Sequence, residues 1–128
     1  SMYASAVSSI PAVREFLLEM QKKMARENSV VMDGRDIGTV IIPDADLKIF
    51  LTASNETRAN RRTLELQSKG ICISFEEVLN DMIERDKQDK NRDIAPAIPA
   101  SDAVIFDNSG MSVEESLAEI VRLVNERK

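Results

Sequence analysis

Lys48-Ile49-Phe50-Leu51-Thr52-Ala53-Ser54 reads as a strand that runs directly into a helix cap. Its apolar residues are consecutive rather than alternating, which argues for a strand of a parallel sheet. Ser54 is a good N-cap, and the helix that follows carries Arg58, Arg61 and Arg62 and ends near Gly70, a natural C′ glycine. Downstream, Ile71-Cys72-Ile73 is a brief extended link, and Ser74 with Glu77 forms a capping box for a helix that begins at Phe75. Pro96 and Pro99 make a loop of the stretch from Ile94 to Ala100. Ala103-Val104-Ile105-Phe106 is a further core strand, and Ser112 with Glu115 caps a last helix with the stripe Val113, Leu117, Ile120, Val121 and Val124. Upstream, Pro11 opens a helix reaching to about Glu27, with Val13, Phe16, Leu17, Met20 and Met24 as its inner stripe. Val30-Val31-Met32 reads as a strand buried on both faces, and Val40-Ile41-Ile42 as a second β-prone run stopped by Pro43-Asp44. Core strands are thus expected near 30–33, 48–52 and 103–106, with a helical region at about 55–92. Strands alternating with helices predict an α/β fold, a parallel sheet with helices on its faces.

Composition narrows the chemistry. The 128 residues are most simply one domain, and 17 basic against 22 acidic side chains, net −5, argue against a general nucleic-acid-binding surface. A nucleotide pocket is compatible with that balance, since it needs only a few placed arginines. Without histidine and with Cys72 alone, a Cys/His zinc site, an intrachain disulfide and a histidine base are all excluded. Cys72 reads as a small apolar filler. No apolar run approaches a membrane span and no signal peptide opens the sequence, so a cytoplasmic protein is expected.

Two places gather charge where apolar residues belong. The helix line Phe75, Val78, Met82, widened by Leu79 and Ile83, continues as Arg85, Asp89 and Arg92. Ionised side chains are rarely buried unpaired, so this helix reads either as one entering a polar pocket or as one with a solvated, frayed end. Two guanidiniums with a carboxylate between them suit a ligand bearing both anionic oxygens and hydroxyls. The second place is Asp33-Gly34-Arg35-Asp36, at the carboxyl end of the first expected strand, where ligands of parallel sheets bind. Asp-Gly is a common turn pair, but an ordinary turn does not call for Arg-Asp and then a second glycine, Gly38.

Asp33-Gly34-Arg35-Asp36-Ile37-Gly38-Thr39-Val40 with Pro43-Asp44-Ala45 resembles the bacterial cytidylate kinases, as does Arg85-Asp86-x-x-Asp89-x-Asn91-Arg92 followed by Ala95-Pro96. Ile10-Pro11-x-Val13-Arg14 and Lys48 to Ser54 match too, in order and spacing, from about Ser5 to the C-terminus. The resemblance implies a nucleoside monophosphate kinase-like parallel sheet flanked by helices, and transfer of the ATP γ-phosphoryl to CMP or dCMP with Mg2+. It places Ser5, Arg14 and Asp36 on the cytosine ring, Arg85 and Asp89 on the ribose, and Arg35 and Arg92 on the acceptor phosphate. Arg58, Arg61 and Arg62 match the mobile lid and, with Arg92, make up the implied catalytic set; the same three read equally as a solvated face paired with Glu65. Asp33 would orient magnesium-bound water or satisfy turn amides.

The family's Gly-x-x-x-x-Gly-Lys-Ser/Thr phosphate loop is not in this sequence, whose glycines are Gly34, Gly38, Gly70 and Gly110. The resemblance is therefore to a C-terminal portion, a single partial domain without the first strand, which would lie between the Val30 and Lys48 strands. Two expectations follow: no turnover, or a trace, by this chain alone, and either closing-up of the exposed strand edges or self-association through them. Competing readings are a non-catalytic nucleotide-binding module and a kinase for UMP or AMP.

Overall fold

The structure, a computed structural model, describes residues 3, 6–7, 9–91 and 97–127. Its elements are α1 (Pro11–Glu27), a π-helical turn (Ile37–Ile41), β1 (Ile49–Thr52), α2 (Asn55–Ser68), α3 (Phe75–Lys90), β2 (Val104–Asp107) and α4 (Val113–Arg127). β1 and β2 pair in parallel, Ile49 opposite Val104 and Thr52 opposite Asp107. The chain is thus α/β, with a parallel pair of strands flanked by helices.

The helix boundaries follow local chemistry. Ser54 Oγ accepts from Thr57 N at 3.2 Å to start α2. Gly70, at φ 77°, ends it: Ile71 N donates to Leu66 O and Gly70 N to Gln67 O, each at 3.0 Å, a paired closure that requires the left-handed region at residue 70. Glu77 N donates to Ser74 Oγ at 3.2 Å and Ser74 N to Glu77 Oε2 at 3.3 Å, so α3 starts with a complete capping box. Ser112 and Glu115 repeat the reciprocal arrangement ahead of α4. α2 and α3 form an antiparallel pair whose buried residues are Ala59 and Thr63 on one helix and Val78 on the other.

Two expected strands take other forms. Residues 30–33 are irregular, with Val31 fully exposed and Val30 41% exposed. An apolar run signals a preference for cover, but a strand also needs a neighbour to complete its ladder, and among the described residues only β1 and β2 pair. Val40-Ile41-Ile42 closes the π-turn instead of extending: Asp36 O accepts from Val40 N at 2.9 Å and Ile41 N at 3.3 Å, and Ile42 N donates to Ile37 O at 2.7 Å. Ile41 is buried there.

The helices α1 and α4 form as expected, but most of their apolar stripes, Phe16, Leu17, Met20 and Met24 on one and Val113, Leu117, Val121 and Val124 on the other, face outward, and neither helix has a buried residue. Phe16 is 69% exposed and Leu117 59%, whereas Val13 and Ile120 are half-buried. Two paired strands lie about 5 Å apart, too narrow to cover helices about 10 Å across.

The α3 cap yields a direct expectation. Ser74→Ala should lower stability by about 1 kcal/mol, the usual worth of an N-cap hydroxyl. Urea denaturation reads it, and an unchanged midpoint would show that the capping box contributes nothing.

Candidate nucleotide site

The 33–36 turn is the centre of the site because both of its neighbouring charges are matched from elsewhere in the chain. Arg14, on the first turn of α1, donates from Nη2 to Asp36 Oδ2 at 2.8 Å. Arg35 Nε lies 2.7 Å from Asp89 Oδ2, on the last turn of α3. The two carboxylates are the better-covered partners, with side chains 15% and 13% exposed. Carboxylates covered to this degree favour partners, so these pairs tie α1 and α3 to one turn. At Gly34 a Cβ would stand 2.9 Å from Ile37 Cγ1, so a larger residue would force the Ile37 side chain to shift.

The remaining sequence-predicted residues divide clearly. Arg58 forms an end-on fork with Asp86 of α3, Nη1 to Oδ2 and Nη2 to Oδ1, the latter at 3.1 Å. The bond to Asp86 raises the Arg58 pKa above its ordinary value, against the opposing effect of burial. Arg61 turns to the loop after β2, donating to Asn108 Oδ1 at 3.1 Å and Asn108 O at 3.0 Å. Asn108 is buried, and its Nδ2 donates to Ser116 Oγ at 3.2 Å, so Arg61 ties α2 to α4 through it. Arg62 pairs with Glu65 at 2.8 Å on an exposed face, where Lys69 and Arg62 together hold the Glu65 carboxyl below its usual range. Arg85 is exposed, and Asp33 is exposed beside a cleft of about 130 Å³ lined also by Gly38, Lys48 and Phe50. Ser5 and Arg92 lie outside the described residues.

The sequence line along α3 is shifted by one residue. Phe75 and Met82 are half-buried and Val78 is 3% exposed, but the polar continuation is Asp86 and Asp89 rather than Arg85 and Asp89. From Met82 the inner face advances by four residues, the other step a 3.6-residue period allows. Asp86, which the sequence reading quoted within a motif but gave no role, is the partner of Arg58. Its signal was its place four residues after Met82, on the side where a helix rich in arginine packs.

Among the described residues, no group of three or more Cys, Asp or Glu side chains gathers to hold a metal ion. No helix among them is long and apolar enough to cross a membrane.

The profile of the family described as "Cytidylate kinase" matches residues 1–126. This chain belongs to the cytidylate kinase family. A cytidylate kinase of Fervidobacterium nodosum is 51% identical over 126 residues, covering 98% of this chain and 58% of the relative. That of Desulfitobacterium hafniense is 50% identical over 127 residues, with 99% and 55% covered, and that of Flavobacterium johnsoniae 48% identical over 126, with 98% and 55% covered. The chain therefore spans little more than half the length of the curated cytidylate kinases it matches.

Next to the site, the strand β1 is anchored by a lysine. The Lys48 side chain is 7% exposed, passes beneath Gly38, and ends in hydrogen bonds from Nζ to the Pro43 carbonyl and, at 2.9 Å, to both Asp102 oxygens. The bond from Lys48 holds the Asp102 carboxyl below its ordinary value. A carboxyl depressed in the folded state contributes stability above its unfolded pKa and loses it as pH falls through the folded one. Acid titration of this chain should thus erode the Asp102 contribution below about pH 4, and Asp102→Asn should remove that part of the pH dependence. Thermal melts of both proteins from neutral to acidic pH measure it; parallel curves would rule the contribution out.

Proposed function

We propose that this chain supplies the acceptor-nucleotide half of a cytidylate kinase, holding CMP or dCMP for phosphorylation by ATP to CDP or dCDP. The reading is carried by the Arg14–Asp36 pair, set beside the Arg35–Asp89 pair on one turn. Arg14 engages Oδ2 of Asp36, and Oδ1 accepts from no described residue. That oxygen can accept from the exocyclic amine of cytosine, whereas uracil would turn a carbonyl toward it. A polar site left without its partner rejects the wrong base strongly. Arg35 is held through Nε, so its terminal nitrogens remain to fork an acceptor phosphate. Arg85 and Asp89 stand in the ribose-contact positions of the family resemblance, and Ser5 and Arg92 complete the set for base and phosphate.

Phosphoryl transfer rests on positioning and on neutralising charge at the transferring group. We assign that task to the α2 arginines Arg58, Arg61 and Arg62, of which Arg61 also donates from its terminal nitrogens to Asn108 and Met111. ATP would supply the phosphoryl group with its Mg2+. This sequence has no glycine-rich loop for the ATP phosphates, so we expect no turnover, or a trace, from this chain alone. A cytoplasmic location agrees with that chemistry. Self-association is a second reading, favoured by the exposed apolar stripe of α4 and the unpaired outer edges of β1 and β2 among the described residues. Sedimentation over a wide concentration range tests it, and a monomer throughout would end it.

The decisive experiment is a calorimetric titration with CMP, using UMP and AMP as controls. Selective CMP binding is expected, with affinity falling by tenfold or more, on the order of one charged hydrogen bond, in Asp36→Ala and Arg14→Ala. Equal binding of all three nucleotides, or of none, would overturn the reading. A coupled assay of ADP release at an ordinary kinase rate would overturn the expected inactivity.

A further inference from the structure

Arg58 and Asp86 are 28 residues apart, on different helices, and meet through the two terminal nitrogens of the guanidinium and both carboxylate oxygens. An end-on fork of this kind uses one edge of a planar group that has two. The other edge, Nε–H with the outer Nη–H, donates to no described residue. A guanidinium edge of that shape matches two oxygens of a phosphate. Both side chains are partly exposed, 35% and 43%, so the pair contributes little to stability. What the fork does provide is orientation, since it removes the rotation of a long side chain that would otherwise be lost on binding.

We infer that Asp86 is a positioning residue: it holds Arg58 by one edge so that the Nε edge is presented to a polyphosphate chain. The inference rests on reading the α2 arginines as phosphate contacts, and adds the carboxylate that sets one of them. Asp86 lies one turn before Asp89, so α3 carries the carboxylate that aims Arg58 and the carboxylate that meets Arg35 of the 33–36 turn. A single helix thereby fixes the relation between the donor-side and acceptor-side guanidiniums. The contrast with Arg62 is informative. Arg62 pairs with Glu65 on its own helix, at i,i+3, and that pair relates α2 to nothing else in the fold.

The sign of one substitution separates positioning from simple charge. Asp86→Asn removes a negative charge beside the proposed anion site, so electrostatics alone would tighten polyphosphate binding. Positioning requires the opposite. With inorganic tripolyphosphate as the probe and this chain as the protein, Asp86→Asn should weaken binding by about tenfold, and Arg58→Lys, which keeps the charge but lacks the planar edge, should weaken it at least as much. Glu65→Gln serves as the charge control and should leave binding unchanged or slightly tighter. Unchanged or tighter binding in Asp86→Asn overturns the inference. Nuclear magnetic resonance of the Arg58 Nε–H group in the unsubstituted chain gives a second readout that does not depend on how the variant folds. Tripolyphosphate should shift that resonance, and a titration that leaves it unmoved overturns the inference. CMP titration addresses the acceptor pocket separately: selective CMP binding with an unmoved Arg58 signal sinks the role of Asp86 alone, whereas the reverse result sinks the acceptor reading alone.

Discussion

Carboxylates turned toward the interior must each meet a cation, and in this chain that demand organises everything around the 33–36 turn. Asp36 calls in Arg14 from α1, and Asp89 calls in Arg35 from the turn itself. Neither pair would be worth much on an open surface. Here the carboxylates are largely covered, so losing a partner would strand a charge, a far larger penalty than the pair's net contribution. The packing between α1 and the segment after the turn is sparse, so the Arg14–Asp36 contact is the main specific tie between them.

The arrangement of α2 and α3 extends this logic. These helices bury small and branched residues against each other, Ala59, Thr63 and Val78, and their apolar contact is with one another rather than with the sheet. Their links to the rest of the fold are polar: Arg61 to the loop after β2 and Arg35 to the end of α3.

Much of this was legible in the sequence, and the failures have one cause. Ser54, Ser74 and Ser112 announced helix starts correctly because capping is local: a hydroxyl meets an amide three residues on whatever the rest of the chain does. Gly70 likewise ended α2 where the chain turned left-handed. β1 and β2 were found within a residue because turn residues bound each run. Val30-Val31-Met32 and Val40-Ile41-Ile42 were misread because an apolar run reports a wish for burial, while strand formation is settled by a neighbour that the run does not encode. In the second case the Asp36 carbonyl took two amides of the following turn and wound it. Motif and helix line together marked Asp36, Arg35, Arg14 and Asp89, which the structure joins in two ion pairs. Asp86 could not be given its role, since choosing between a step of three and a step of four after Met82 depends on which side of α3 another helix lies.

Lys48 has a consequence for how the fold can be watched. Its aliphatic stem runs against Gly38, its side chain is 7% exposed and its ammonium is held by Pro43 and Asp102, while Lys69 and other lysines stand at the surface. An amine-acylating reagent needs a free, accessible nitrogen, so Lys48 is the lysine whose modification reports opening of the segment between the π-turn and β1. Its labelling rate is in effect a clock for that opening, written into a residue that takes no part in the proposed chemistry.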